Sequence, residues 1–189
     1  MNLATRITMV RIFLIPVMVF LYLADFIPYG KLIAFAIFVI AALTDLIDGY
    51  IARKYNQVTT IGGFMDTIAD KVLTASALLL IVADATILAP YGVIAAIIII
   101  GREFIISALK MIGASKNVVI MADKLGKWKA TFQMVSIGGF MLVAGLIGVI
   151  PAEAVNILNY ISLGLLGVAI LFTIVSGVNY CVKNRQVFK

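Results

Sequence analysis

Four of the chain's nine carboxylates crowd between Asp45 and Asp70. Asp45 and Asp48 stand three residues apart and Asp66 and Asp70 four apart, so on a helix each pair shares one face. Between the pairs, Lys54-Tyr55-Asn56-Gln57-Val58-Thr59-Thr60 is polar enough for a turn, and a short turn sets two helices antiparallel with their acidic faces opposed. The aspartates then form a clamp of carboxylate oxygens. Such oxygens are hard ligands that favour Mg²⁺ or Mn²⁺ over zinc or copper. Two ions about 3.5–4 Å apart could be bridged by four of them. The chain has no histidine and a single cysteine, Cys181. Histidine metal sites, a Ser-His-Asp triad, an intrachain disulfide and a cysteine-based zinc site are thereby excluded.

The surroundings of the clamp are apolar, from Leu32 to Leu43 before it and from Val72 to Val82 after it. These aspartates therefore fall inside helices fit to span a membrane. A charge at mid-bilayer costs roughly 2.5–3.5 kcal/mol on insertion scales, which makes an intramembrane acid a functional-site hypothesis by default. The competing reading pairs the acids with Arg53, Lys54 and Lys71 to hold two helices together. A cation site in a transporter or channel is a further alternative, but the first, fifth and sixth apolar runs supply no acid to continue a path.

The pattern D-x2-D-G-x2-A-R-x8-G-x3-D-x3-D is matched at every specified position from Asp45 to Asp70. It resembles the signature of the CDP-alcohol phosphotransferase family. Asn2-Leu3-Ala4-Thr5-Arg6-Ile7-Thr8-Met9-Val10-Arg11 and Gly126-Lys127-Trp128-Lys129-Ala130 are similar to the bacterial branch of that family that uses glycerol 3-phosphate. The resemblance implies one family domain over residues 1–189 and transfer of a phosphatidyl group from CDP-diacylglycerol to glycerol 3-phosphate, with CMP released. It implies two divalent cations held by Asp45, Asp48, Asp66 and Asp70 on the diphosphate, and Asp70 as the base that takes the acceptor proton. It also implies that Asp48, Gly49, Ala52 and Gly62 line the CDP pocket, with Arg53, Asn2 and Thr5 near the nucleotide. Another acceptor, such as inositol phosphate, serine or phosphatidylglycerol, stays open. A homodimer among membrane lipids is expected, with no nucleic acid partner, in the bacterial plasma membrane.

The elements that must position these residues follow from composition. With 189 residues, 63% hydrophobic and 13% charged, and a mean hydropathy of +1.15, the chain is too apolar for a soluble domain and suits an all-α polytopic membrane bundle. Six apolar runs, about 8–24, 32–53, 62–83, 91–112, 125–149 and 155–181, each approach the ~20 residues that cross a bilayer. Residues 1–6 are expected to form an interfacial segment, and Pro16 to kink the first span. No small-x-small cleavage site follows the first run, so it reads as a span and not a signal peptide.

Basic residues set the expected orientation. Arg6, Arg11, Arg53, Lys54, Lys110, Lys116, Lys124, Lys127, Lys129, Lys183, Arg185 and Lys189 gather at one side and only Lys31 at the other, with Lys71 and Arg102 inside spans. Six spans with both termini and the clamp at the cytoplasmic side follow. Asp48 precedes Arg53 by five residues, about 7.5 Å of helical rise, just below the headgroups. Arg102 either pairs with Glu103 or, because its fork matches phosphate bidentately, grips the acceptor phosphate with Lys110 and Lys127. Lys116, Lys124 and Lys129 are expected at the lipid headgroups, and Asp123 as a helix cap.

Overall fold

Turn residues divide the apolar runs into helices. The structure, a computed structural model, describes residues 3–54, 60–88, 91–116 and 124–184. Its helices are α1 (Leu3–Leu23), α2 (Gly30–Lys54), α3 (Thr60–Ala83), α4 (Ala85–Leu88), α5 (Gly92–Ser115), α6 (Lys124–Leu146) and α7 (Ala152–Lys183). No strand occurs among the described residues. Six long helices coincide with the six apolar runs, and the one-turn α4 was not anticipated. Four of them, α1, α5, α6 and α7, are long and apolar enough to cross a membrane by length and composition. The remaining long helices, α2 and α3, are the two that carry the aspartates. At the amino end, α1 runs unbroken from Leu3 through Pro16 to Leu23, and the stretch of it apolar enough to cross a membrane begins at Arg6.

The order of packing is set by small residues. Ala34, Ala41, Ala69, Ala77 and Ala169 have no exposed surface, and such residues let membrane helices approach closely. Helix α1 lies against both α2 and α3, which touch each other far less; α6 joins α2 to α7, and α5 packs on α7 and α3. At the α6–α7 seam a Cβ on Gly139 would come within 2.3 Å of Ser162 Oγ, while Ser136 donates to the Ser162 carbonyl at 2.9 Å. The central core draws Met18, Phe38, Leu73, Ile81, Ile99, Ile137, Phe140 and Leu166 from six helices. Large apolar side chains such as Phe13, Phe104 and Leu171 face outward. A bundle apolar outside as well as inside is what a lipid surround selects.

At the end of the bundle away from the aspartate pairs, one carboxylate ties four elements. Asp84, between α3 and α4, accepts from Lys31 Nζ at 2.7 Å and Tyr22 Oη at 3.3 Å through one oxygen, and from Thr86 Oγ1 at 2.6 Å through the other. Gly30 opens α2 beside this knot, and a Cβ there would meet the Leu21 carbonyl oxygen at 2.6 Å. Only glycine fits that turn.

Candidate active site

The gap between the two acidic helices is closed by a third helix. Arg11 on α1 donates through one nitrogen, Nη1, to Oδ1 of Asp45 on α2 at 2.6 Å and to Oδ1 of Asp66 on α3 at 3.1 Å. Its side chain has no exposed surface, whereas those of Asp45 and Asp66 are 28% and 42% exposed. A buried guanidinium is sustained only by partners of this kind. The contact also explains why α1 lies between α2 and α3: it places one cation against both acidic faces.

Asp70 lies one helical turn beyond Asp66. It is half-buried, and its carboxylate makes no hydrogen bond or ion pair among the described residues. A cavity of about 370 Å³ opens over Asp45 and Asp70, bounded by Lys71 and Thr74 of α3, Glu103 of α5, and Lys129 and Gln133 of α6. Lys129, 2% exposed, donates to Glu103. Lys71 donates to Ser107 and has no carboxylate within ion-pair distance among the described residues. A second cavity, also about 370 Å³, runs between α3 and α5 past Ile68, Val72, Leu79, Ile99 and Phe104. It shares Lys71, Thr74, Glu103 and Gln133 with the first, so an apolar groove adjoins a charged chamber.

Several sequence expectations change here. Arg11 and Lys129 are not surface charges that set orientation; they are buried within the bundle and hold carboxylates. Arg102 takes the pairing alternative: Nη1 contacts Glu103 at 3.3 Å and Nη2 donates to Ser176 on α7 at 3.1 Å. It borders an apolar cavity between α5 and α7 and not the chamber with Asp45 and Asp70. Lys110 and Lys127 are exposed on α5 and α6 and do not line that chamber. Gly62 is half-buried near the start of α3. Asn2 and Asp123 lie outside the described residues, as do the side chains of Thr5, Asp48, Gly49, Ala52 and Arg53. Among the described residues no three carboxylates form a metal-binding group.

Arg11 could have been found from the sequence. It lies among Ile7, Met9, Val10, Ile12 and Phe13, and a charge inside an apolar run demands a partner just as the aspartates do.

An all-helical membrane bundle with ion-paired carboxylates at one end and an apolar groove leading to them defines a class: integral membrane proteins that bring a charged site to a lipid. Within that class, the chain belongs to the CDP-alcohol phosphatidyltransferase family, whose sequence profile matches residues 1–177. It is 37% identical over 199 residues to a CDP-diacylglycerol–glycerol-3-phosphate 3-phosphatidyltransferase of Bacillus subtilis, covering all of this chain and 97% of the relative. A Haemophilus influenzae protein of the same name is 41% identical over 144 residues, covering 74% of this chain and 75% of the relative. One from Rickettsia bellii is 32% identical over 189 residues, covering 99% of this chain and 97% of the relative.

Proposed function

We propose that this chain transfers the phosphatidyl group of CDP-diacylglycerol to glycerol 3-phosphate, forming phosphatidylglycerol phosphate and releasing CMP. The observation that carries this reading is the junction of the apolar groove with the chamber containing Asp45 and Asp70, the latter with no hydrogen-bond or ion-pair partner for its carboxylate among the described residues. A reaction between a lipid-borne and a water-soluble substrate needs that junction. The names of the relatives in Bacillus, Haemophilus and Rickettsia support glycerol 3-phosphate as the acceptor.

The residues supply the following steps. Asp70 takes the proton from the acceptor hydroxyl, whose oxygen then attacks the phosphorus that carries the diacylglycerol. The bond from that phosphorus to the CMP oxygen breaks, and CMP leaves. Asp45, Asp48, Asp66 and Asp70 would hold two divalent cations, Mg²⁺ or Mn²⁺. The donor set fits such ions, being carboxylate oxygen alone, and Arg11 Nη1 already bridges Asp45 and Asp66 as one cation. When bound, the metals supply charge neutralisation at the diphosphate. Gly62 belongs to the CDP pocket in this reading, together with Asn2, Thr5, Gly49, Ala52 and Arg53.

For the acceptor phosphate we assign Lys71 and Lys129 in place of Arg102, Lys110 and Lys127. Both border the chamber, and among the described residues Lys71 has no carboxylate within ion-pair distance. The site faces the cytoplasm of a bacterial cell, on the strength of the basic residues at that end.

Purified protein given CDP-diacylglycerol, glycerol 3-phosphate and Mg²⁺ should release CMP and form phosphatidylglycerol phosphate in equal amounts. Absence of CMP release, or release that requires a different alcohol, overturns the reading.

A further inference from the structure

Four residues border both the charged chamber and the apolar groove: Lys71, Thr74, Glu103 and Gln133. Three have their polar groups engaged. Lys71 donates to Ser107, Thr74 to the Asp70 carbonyl oxygen, and Glu103 accepts from Lys129 and Arg102. Gln133 is the exception. It is 4% exposed, and its Oε1 is sealed from solvent without a hydrogen-bond partner among the described residues. A buried amide oxygen left unpaired is destabilising. A polar side chain kept at such a position, where leucine or methionine would pack, points to a partner absent from the chain itself.

The chemistry of the unpaired atom narrows that partner. Oε1 only accepts, so it needs a donor. The ester and phosphate oxygens of the lipid substrate are acceptors and leave it unsatisfied, and the hydroxyl and amino donors of its nucleotide belong, in the reading above, to the CDP pocket with Gly62, which does not line this chamber. Glycerol 3-phosphate carries two hydroxyl donors. Its primary hydroxyl surrenders the proton to Asp70 in the reaction proposed above, which leaves the middle hydroxyl. Gln133 follows Lys129 by four residues on α6, on the same face, and Lys129 is one of the two bases assigned to the acceptor phosphate. A molecule with its phosphate at Lys129 and its reacting hydroxyl at Asp70 lies along the chamber that Gln133 borders.

We propose that Gln133 is a specificity-determining residue that accepts a hydrogen bond from the middle hydroxyl of glycerol 3-phosphate. This rests on the proposed reaction. A site that hydrogen-bonds a hydroxyl rejects the analogue that lacks it.

The test compares glycerol 3-phosphate with 3-hydroxypropyl phosphate, which keeps the phosphate and the reacting primary hydroxyl but lacks the middle one. Wild-type protein should prefer glycerol 3-phosphate by about tenfold or more in kcat/KM. Gln133→Leu should lose that preference, use the two acceptors about equally, and keep its KM for CDP-diacylglycerol within about threefold of wild type. Its Tm should be no lower than wild type, because no hydrogen bond within the protein is lost. Gln133→Met gives the same comparison should the leucine variant not fold. A variant that keeps the wild-type preference, or whose KM rises for CDP-diacylglycerol instead, overturns the assignment alone. Wild-type protein that releases CMP with neither acceptor overturns the reaction and the assignment together.

Discussion

Arg11 Nη1 lies 2.6 Å from Oδ1 of Asp45, and the same nitrogen reaches Asp66. A helix that contributes no carboxylate thereby determines how far apart the two acidic helices stand.

Removing that guanidinium takes from two facing carboxylates the cation they share. Breaking a buried ion pair from one side costs about 3–5 kcal/mol, and the partial exposure of both aspartates places Arg11→Ala at the lower end of that range. Its Tm in detergent should fall, and millimolar Mg²⁺ should restore part of the loss, since a ligand that binds the folded state stabilises it. Thermal denaturation of wild type and variant, with Mg²⁺ and with EDTA, measures both effects.

Asp70→Asn keeps shape but removes the proposed base and weakens one of the four proposed metal ligands. It should lower kcat by at least about 10²–10⁴-fold, the usual contribution of general base catalysis, and raise the Mg²⁺ concentration needed for half-maximal activity. EDTA should abolish wild-type activity, and Mg²⁺ or Mn²⁺ should restore it. Full activity of Asp66→Asn in chelator would rule out carboxylate-held metals.

At the opposite end, stability should depend on pH through Asp84. Burial pushes its carboxyl up, but hydrogen bonds from Lys31 and Thr86 and the charge of Lys31 outweigh burial and hold it below the ordinary carboxylate range. A carboxyl depressed in the folded state adds stability above its unfolded pKa and loses it as pH falls through the folded one. The Tm difference between wild type and Asp84→Asn should therefore be constant near neutrality and shrink below about pH 4. A difference that grows in acid contradicts the assignment.

Orientation is open to direct measurement. A reporter fused after Lys189 should read cytoplasmic, and one inserted between Asp84 and Tyr91 should read external. The reverse pattern would move the aspartate site to the other face.

The helices were legible in the sequence because apolar runs of membrane-spanning length, broken by Pro28-Tyr29-Gly30 and Pro151, leave little choice of boundary. The aspartates stood out because acids inside such runs are costly. Arg11 was legible by the same reasoning, as a charge inside an apolar run, but Lys129 was hidden by the rule that gives orientation: basic residues near span ends ordinarily flank the membrane, and no spacing reveals that it turns inward. For Arg102 the sequence left two alternatives, and its spacing could not decide between Glu103 and the acceptor phosphate. Its partners Ser176 and Glu103 lie on different helices, and Ser176 is distant in sequence. Gln133 carries no charge and fits no motif, so only its burial without a partner singles it out.

The position of Arg11 between α2 and α3 bears on how the chain enters the membrane. Helices leave the ribosome in order, so α1 reaches the insertion machinery before either Asp45 or Asp66 has emerged beside it. An arginine released into lipid without its partners carries the penalty of an uncompensated intramembrane charge. The first helix must therefore wait, held at the insertion site or at the bilayer edge, until α3 arrives, and the three integrate as one unit. A chain truncated after Leu23 should be extracted from membranes by alkaline carbonate, one ending after Ala83 should resist, and Arg11→Leu should make the short chain resist as well.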